Sequence, residues 1–331
     1  MKVLTKVLLI IIAFCFLGTL FYSYFIYSLT PERDKVYEFT IEKDENLDNI
    51  SKKLKDIELI KDPLMFKLYM KFNNADKKIK AGEYRIENIK DINSLISILE
   101  KGQEKLIKYT IPEGFDIEKI AERLSDLNLV NKDEFLDLAL KRGNEFDFKF
   151  SSEIKNGNLE GFLFPDTYLI SEPDAKKVIL QMLSGFENIF DEKMIVRAKE
   201  LNMSVKDVVT LASIVEREAQ LDEERPIIAS VFLNRLKAGW KLEACSTVEY
   251  VLKKAAPVLT LSDLQVDSPY NTYKYSGLPP TPICSPGRAS IVAALYPADT
   301  QYFYFVSKGD GSHAFGKTFS EHQRNIEKYL K

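Results

Sequence analysis

Hydrophobic positions change their period along this chain. From Val7 to Leu29 they form a run of 23 residues without a charge. At about 1.5 Å per residue such a run crosses a hydrocarbon core of about 30 Å, so a transmembrane helix is expected there. Lys2 and Lys6 precede it, whereas Glu32, Arg33, Asp34 and Lys35 after it nearly cancel. That asymmetry predicts a single pass with the short N-terminus in the cytoplasm and the rest outside. The run exceeds an ordinary signal-peptide core and no A-x-A-like site follows it, which argues against cleavage. Phe14 before Cys15, where a lipoprotein needs a small residue, argues against lipidation.

Beyond the run, alternation and helical spacing follow each other. Tyr37–Ile41 reads as a strand, Leu47–Leu59 and Pro63–Phe72 as helices, Ala81–Ile86 as a strand and Ile92–Lys101 as a helix. Asp62-Pro63 marks a helix start, with proline inside the first turn. From about Glu104 a strand in Lys105–Gly114 leads to helices at Ile117–Leu127 and Lys132–Lys141, a loop over Asn144–Gly157 and an ordered aromatic segment around Pro165. Long helices are expected at Ala175–Ile189, Asp191–Leu201, Val205–Leu221 and Pro226–Ala238, the last ended by Gly239. Ser268–Gly287 carries Pro269, Gly277, Pro279, Pro280, Pro282, Pro286 and Gly287 and reads as a loop. The chain thus divides into residues 1–35 (tail, span and short linker), 36–103 (a βααβ module) and 104–331 (a larger mixed α/β domain), an α+β fold throughout.

Composition narrows the function. The chain has 331 residues, 45% of them hydrophobic, enough for two or three folded units. A net charge of −3 with both signs interleaved gives no field suited to nucleic acid. The lysines between Lys52 and Lys80 alternate with acids and apolar positions, as solvated helix faces do. His313 and His322 are the only histidines, and there is no H-E-x-x-H or C-x-x-C pattern, so neither a metal nor another cofactor is expected. Outside the span, Cys245 and Cys284 are the only cysteines; they are either one disulfide or two free, small, buried thiols.

The helix LASIVEREAQ (Leu211–Gln220) carries two glutamates two residues apart. At about 100° per residue, Glu216 and Glu218 point to nearly opposite sides and cannot form one paired-carboxylate site. Glu218 follows Leu211, Ile214 and Val215, apolar surroundings that favour a protonated carboxyl near neutrality. Glu216 sits above Ala212 and Ser213, and a solvated Glu-Arg-Glu face is the plain alternative for both.

The blocks EGFLFPDTY (Glu160–Tyr168), ERPIIASVFLNRLKAGWKLEACSTVEY (Glu224–Tyr250), SPYNTYKYSGLPPTPICSPG (Ser268–Gly287) and YPADTQYFYFVSKGDGSHAFGKTFSEH (Tyr296–His322), in this order around LASIVEREAQ, resemble the endolytic murein transglycosylase family (MltG, or YceG-like). The resemblance spans essentially the whole chain. It implies a membrane-anchored lytic transglycosylase of peptidoglycan strands with Glu218 as catalytic residue. It also implies a LysM-like module at residues 36–103, and partners among the glycan polymerases and transpeptidases of wall synthesis. Within its cleft the resemblance places Asn271 and Thr272, then Tyr270 and Tyr273, with Asn234 and His313 as further substrate-binding candidates. Many members have an acidic-Pro-Thr-Val segment where this chain has Cys245-Ser246-Thr247-Val248, which leaves any role of that acid open and admits a Cys245–Cys284 link in its place. One carboxyl acting first as acid and then as base suffices for intramolecular transglycosylation. A hydrolytic muramidase needs a second carboxylate about 5 to 9.5 Å away, for which Asp166 and Asp267 are candidates. A non-catalytic glycan-binding scaffold is the reading from another class.

Overall fold

Alternating burial in YEFTI leaves a strand that needs both a partner and a cover. In the computed structural model, which describes residues 16–20, 22–25, 27, 35–86, 89, 91–102, 106–253 and 259–330, β1 (Tyr37–Ile41) is followed by α1 (Leu47–Asp56) and α2 (Pro63–Phe72). The chain then returns as β2 (Gly82–Ile86), antiparallel to β1, with Tyr37 opposite Ile86 and Phe39 opposite Tyr84. The Phe39 and Tyr84 rings stack at 5.1 Å. Asp62 accepts from the Leu64 and Met65 amides at 2.8 and 3.3 Å, so the α2 start rests on a side-chain cap as well as on Pro63. Leu54, Phe66 and Met70 from the two helices, with Leu95 and Leu99 of α3 (Ile92–Lys101), fill the core. These elements belong to a first compact unit, Met1–Ile107; a second comprises Lys108–Lys331. The sequence-predicted span Val7–Leu29 falls mostly outside the described residues, and among those described no helix is long and apolar enough to cross a membrane.

The second unit is helical around two small sheets. β3 (Ile107–Thr110) lies beside β4 (Thr167–Ile170), with α4 (Ile117–Asp126) and α5 (Lys132–Leu140) between them in sequence. Then come α6 (Ala175–Ile189), α7 (Glu192–Glu200), α8 (Val205–Glu218), α9 (Arg225–Lys237), α10 (Cys245–Leu252) and α11 (Arg288–Leu295). An antiparallel hairpin, β5 (Tyr304–Ser307) with β6 (His313–Gly316), and α12 (Phe319–Tyr329) close the chain.

The central piece is α8. A reciprocal Ser204–Asp207 capping box starts it, and every residue from Val208 to Val215 is buried. It packs on α7, α9, α10 and α11. Apolar spacing predicts this helix to Leu221, yet it stops at Glu218: Ala219 is extended (φ −82°, ψ 131°), and a short turn at Asp222–Glu224 redirects the chain into α9. The carboxyl of Glu218 is therefore borne on the last helical residue.

Phe148, Phe150, Phe162, Phe186 and Phe190 pack mostly edge to face beside this helix. Gly161 joins that cluster to the proline-rich loop. Its φ is +85°, and a Cβ there would lie 2.4 Å from Pro282 Cβ and 3.0 Å from Val209 Cγ1, so glycine is required both by conformation and by space. Gly161→Ala is expected to lower the unfolding free energy by about 2 to 3 kcal/mol, read from denaturant midpoints at unchanged m-value; wild-type stability would contradict this packing.

Candidate active site

Glu216 and Glu218 leave the end of α8 in different directions and meet different surroundings. Glu216 is not a solvated residue: its side chain is 7% exposed and faces Arg225 Nη1 at 3.3 Å. Its Oε2 accepts from the Gly287 amide at 3.1 Å and from Ser290 Oγ at 2.8 Å. The solvated Glu-Arg-Glu face thus fails for Glu216, because α11 and the first turn of α9 close over it. These bonds tie the end of α8 to α9 and α11.

Glu218 is half-buried and faces α10. Ser246 Oγ donates to its Oε1 at 2.7 Å and the Ser246 amide donates to the same oxygen at 3.3 Å. Among the described residues Oε2 has no hydrogen-bond partner. Burial raises the Glu218 pKa above the usual carboxylate range; the two Ser246 bonds oppose this, nearby Glu249 adds to it and His313 slightly offsets it. The negative end of α8 acts in the same direction as burial.

How Ser246 reaches Glu218 explains the loop chemistry. Thr272 Oγ1 accepts from the Ala244 amide at 3.0 Å and lies 2.9 Å from Thr247 Oγ1, fastening the N-terminus of α10. Asn271 is fully buried, its Nδ2 donating to the Leu264 and Val266 carbonyls at 3.0 and 2.8 Å and its Oδ1 accepting from the Tyr273 amide at 3.0 Å. The same loop is pinned to α8 by the Ile283 amide donating to Ser213 Oγ at 3.0 Å. Asn271 and Thr272, expected at the substrate, are both buried, and their side chains make hydrogen bonds within the protein. Asn234 likewise donates to the Thr300 and Tyr302 carbonyls, each at 3.0 Å, and so holds the approach to β5.

Two further candidates, His313 and Tyr273, are close enough for charge to act between them and Glu218. His313 is buried, with Nδ1 2.6 Å from Glu224 Oε2 and its amide donating to Glu224 Oε1 at 3.0 Å. Tyr273 Oη lies 3.1 Å from Cys245 Sγ, and burial, with a contribution from the Glu218 charge, keeps its phenol protonated. Tyr270 Oη meets Thr281 Oγ1 at 2.7 Å. Cys245 and Cys284 are both free, the latter donating to the Ser213 carbonyl at 3.3 Å. Asp166 accepts from the Thr167 amide beside β4, and Asp267 bonds Tyr275 Oη and Lys274 at the surface; neither is joined to Glu218 by these bonds. Among the described residues no group of three or more His, Cys, Asp or Glu is arranged to hold a metal ion.

Three residues of this site carry no sequence signal of their own. Ser246 is one, since α10 lacks a side-chain cap and was not legible as a helix. Arg217 is the second: it donates to Glu249 at 3.1 Å beside a cleft of about 310 Å³ that Ser246 also lines. Glu160, in EGFLFPDTY, is the third. Its buried carboxyl accepts from the Ile117 amide at 3.2 Å and from Tyr250 Oη at 3.2 Å. Burial, reinforced by the Asp116 charge, pushes its pKa up to about 8.

The YceG-like family model matches residues 39–328. An "Endolytic murein transglycosylase" of Bacillus subtilis (strain 168) is 34% identical over 295 residues, covering 84% of this chain and 80% of that protein. One of the same description from Streptococcus pneumoniae serotype 2 is 28% identical over 344 residues, 93% of this chain; the chain spans 62% of that relative's length. A crystal structure of a YceG-like protein from Listeria monocytogenes superposes with a TM-score of 0.58 at 31% identity, covering 87% of this chain and 98% of that one.

Two predictions follow from the charges. Ser246→Ala removes a donor that favours the ionised form, so the Glu218 carboxyl should titrate at higher pH than in wild type, read by its 13C chemical shift; a downward move would contradict this geometry. For Glu160, a folded pKa above the unfolded one means that the native state keeps a proton which the unfolded chain releases, so its contribution falls as pH rises through about 8. Thermal melts between pH 5 and 9 should therefore lose stability less steeply in Glu160→Gln than in wild type.

Proposed function

The chain belongs to the YceG-like family, and on that premise we propose that it is a membrane-anchored endolytic transglycosylase. It would cut between N-acetylmuramic acid and N-acetylglucosamine in peptidoglycan strands and leave 1,6-anhydro ends. The relatives' shared description supports a lytic transglycosylase, a lyase rather than a hydrolase. The observation that carries the residue assignment is a carboxyl that burial holds towards its neutral form and that Ser246 grips at one oxygen. Oε1 is committed to Ser246 as an acceptor twice over, so the proton of the neutral acid resides on Oε2.

From Oε2 the proton passes to the bridging oxygen as its bond to the muramic C1 breaks. The carboxylate so formed, held by the two Ser246 donors, takes the proton of the muramic 6-hydroxyl as that oxygen closes onto C1. The acid is regenerated and no water is consumed. Thr272 and Asn271 act as positioning residues for Ser246, while Tyr273, Tyr270 and His313 are the candidates for substrate contact. The uncharged run Val7–Leu29 supports a single-pass anchor in the cytoplasmic membrane, with the catalytic unit outside. The β-α-α-β order of the first unit supports a LysM-like module, and a tether as short as Thr30–Lys35 favours action on strands newly made by polymerase and transpeptidase complexes.

Full-length protein incubated with uncrosslinked strands should produce anhydro-muramic ends by mass spectrometry, and Glu218→Gln should lower their rate at least about a hundredfold. Reducing ends would mean a muramidase with a second carboxylate, and no cleavage by the wild type a scaffold.

A further inference from the structure

The cleft beside Ser246 has a chemistry that the cutting reaction does not use. Ser246 and Glu249 of α10 line it with Lys253, the residue after that helix, and α4 supplies Lys119 and Glu122. Residues of both signs alternate around it. Arg217 faces Glu249 at 3.1 Å, Lys253 faces Glu118 at 3.2 Å and Asp116 at 3.8 Å, and Lys132 faces Glu122 at 3.9 Å. Lys119 is exposed and forms no ion pair among the described residues.

Such a lining lacks the open aromatic face on which a pyranose ring packs well. Among the described residues Tyr250 is the only aromatic side chain lining the cleft, and its ring is already engaged: Tyr270 lies 5.1 Å away and Lys253 Nζ sits 4.5 Å from its centroid. The lining suits a ligand that bears carboxylates and an amine together, with loosely paired lysines for the first and glutamates for the second. The cleft also begins at the reacting group, since Ser246 both lines it and holds Glu218. Muramic acid carries its peptide on the sugar whose C1 is attacked, so a peptide on that sugar starts within one ring's width of Glu218.

We infer that this cleft binds the short zwitterionic peptide borne by the muramic residue at the cut, and that Lys119 and Lys132 receive its carboxylates; the inference rests on the transglycosylase reading above. It makes the enzyme selective for strands with free, peptide-bearing muramic residues over bare glycan. Lys119 and Lys132 are exposed and lie outside the catalytic machinery, so Lys119→Glu/Lys132→Glu is expected to fold normally, checked by its melting curve.

Two measurements on the full chain test the inference. On uncrosslinked peptide-bearing strands the double variant should show a KM raised about tenfold with kcat within about twofold, and on strands stripped of peptide by an amidase it should match the wild type. A free murein tetrapeptide carrying one amine and its carboxylates should bind the wild type and not the variant in calorimetry. Equal slowing on both substrates, no slowing on either, or no tetrapeptide binding by the wild type would overturn the inference. Selective tetrapeptide binding without anhydro ends from any strand would keep the peptide site and remove the transglycosylase reading instead.

Discussion

Two carboxyls at the end of one buried helix govern the second unit. Burying α8 from Val208 to Val215 places Glu216 and Glu218 at the edge of an apolar core, where an unsatisfied carboxyl is costly. The chain resolves this twice, on opposite sides. Arg225, Ser290 and the Gly287 amide converge on Glu216, and this locks α9, α11 and the end of the proline-rich loop onto α8. On the other side, among the described residues, Ser246 is the one hydrogen-bond donor to Glu218, and at one oxygen. All three contacts converge on one oxygen of Glu216, Oε2, and so tie three pieces of chain to α8 at one point. Glu218 too is held at one oxygen, Oε1, in a place where burial favours the neutral acid.

Where the sequence was legible, a local signal and the tertiary packing agreed. Asp62-Pro63 opens α2, and the spacing of Ala175–Ile189 matches α6 residue for residue, with Asp174 capping it. The reading failed where tertiary contacts overrode local preference. Apolar residues continue past Glu218, so periodicity carries the helix to Leu221, but Ala219 is extended and the chain turns into α9. α10 begins without a side-chain cap, and its start is fixed by Thr272, 28 residues away from Ala244. No window of sequence contains that bond.

The same reason explains the surroundings of two candidate site residues. Asn271 and Thr272 are polar residues in a loop, and polar loop residues suggest contact with ligand. Here they replace the ladder bonds that a loop rich in proline cannot make, so their polarity is consumed in holding the loop and α10 together. Glu216 and Glu218 were separable from spacing alone, because about 100° per residue sends them apart. What lies on each side of α8 was not, since Arg225, Ser290 and Ser246 come from three other helices.

Ser246 also gives physical meaning to the one segment in which this chain departs from the family pattern it resembles. Where many members carry acidic-Pro-Thr-Val, this chain has Cys245-Ser246-Thr247-Val248. A proline at 246 would have neither the amide nor the hydroxyl that hold Glu218 Oε1. Both donors favour the carboxylate and so moderate the rise that burial imposes. An acid that must also act as base in the second half of its cycle works best when neither form is strongly preferred. On the mechanism proposed above, the substitution would act on the balance between the two halves of the reaction rather than on the identity of the reacting group, while Thr247, which keeps its place, bonds the Ala244 carbonyl and meets Thr272 Oγ1 at the start of α10.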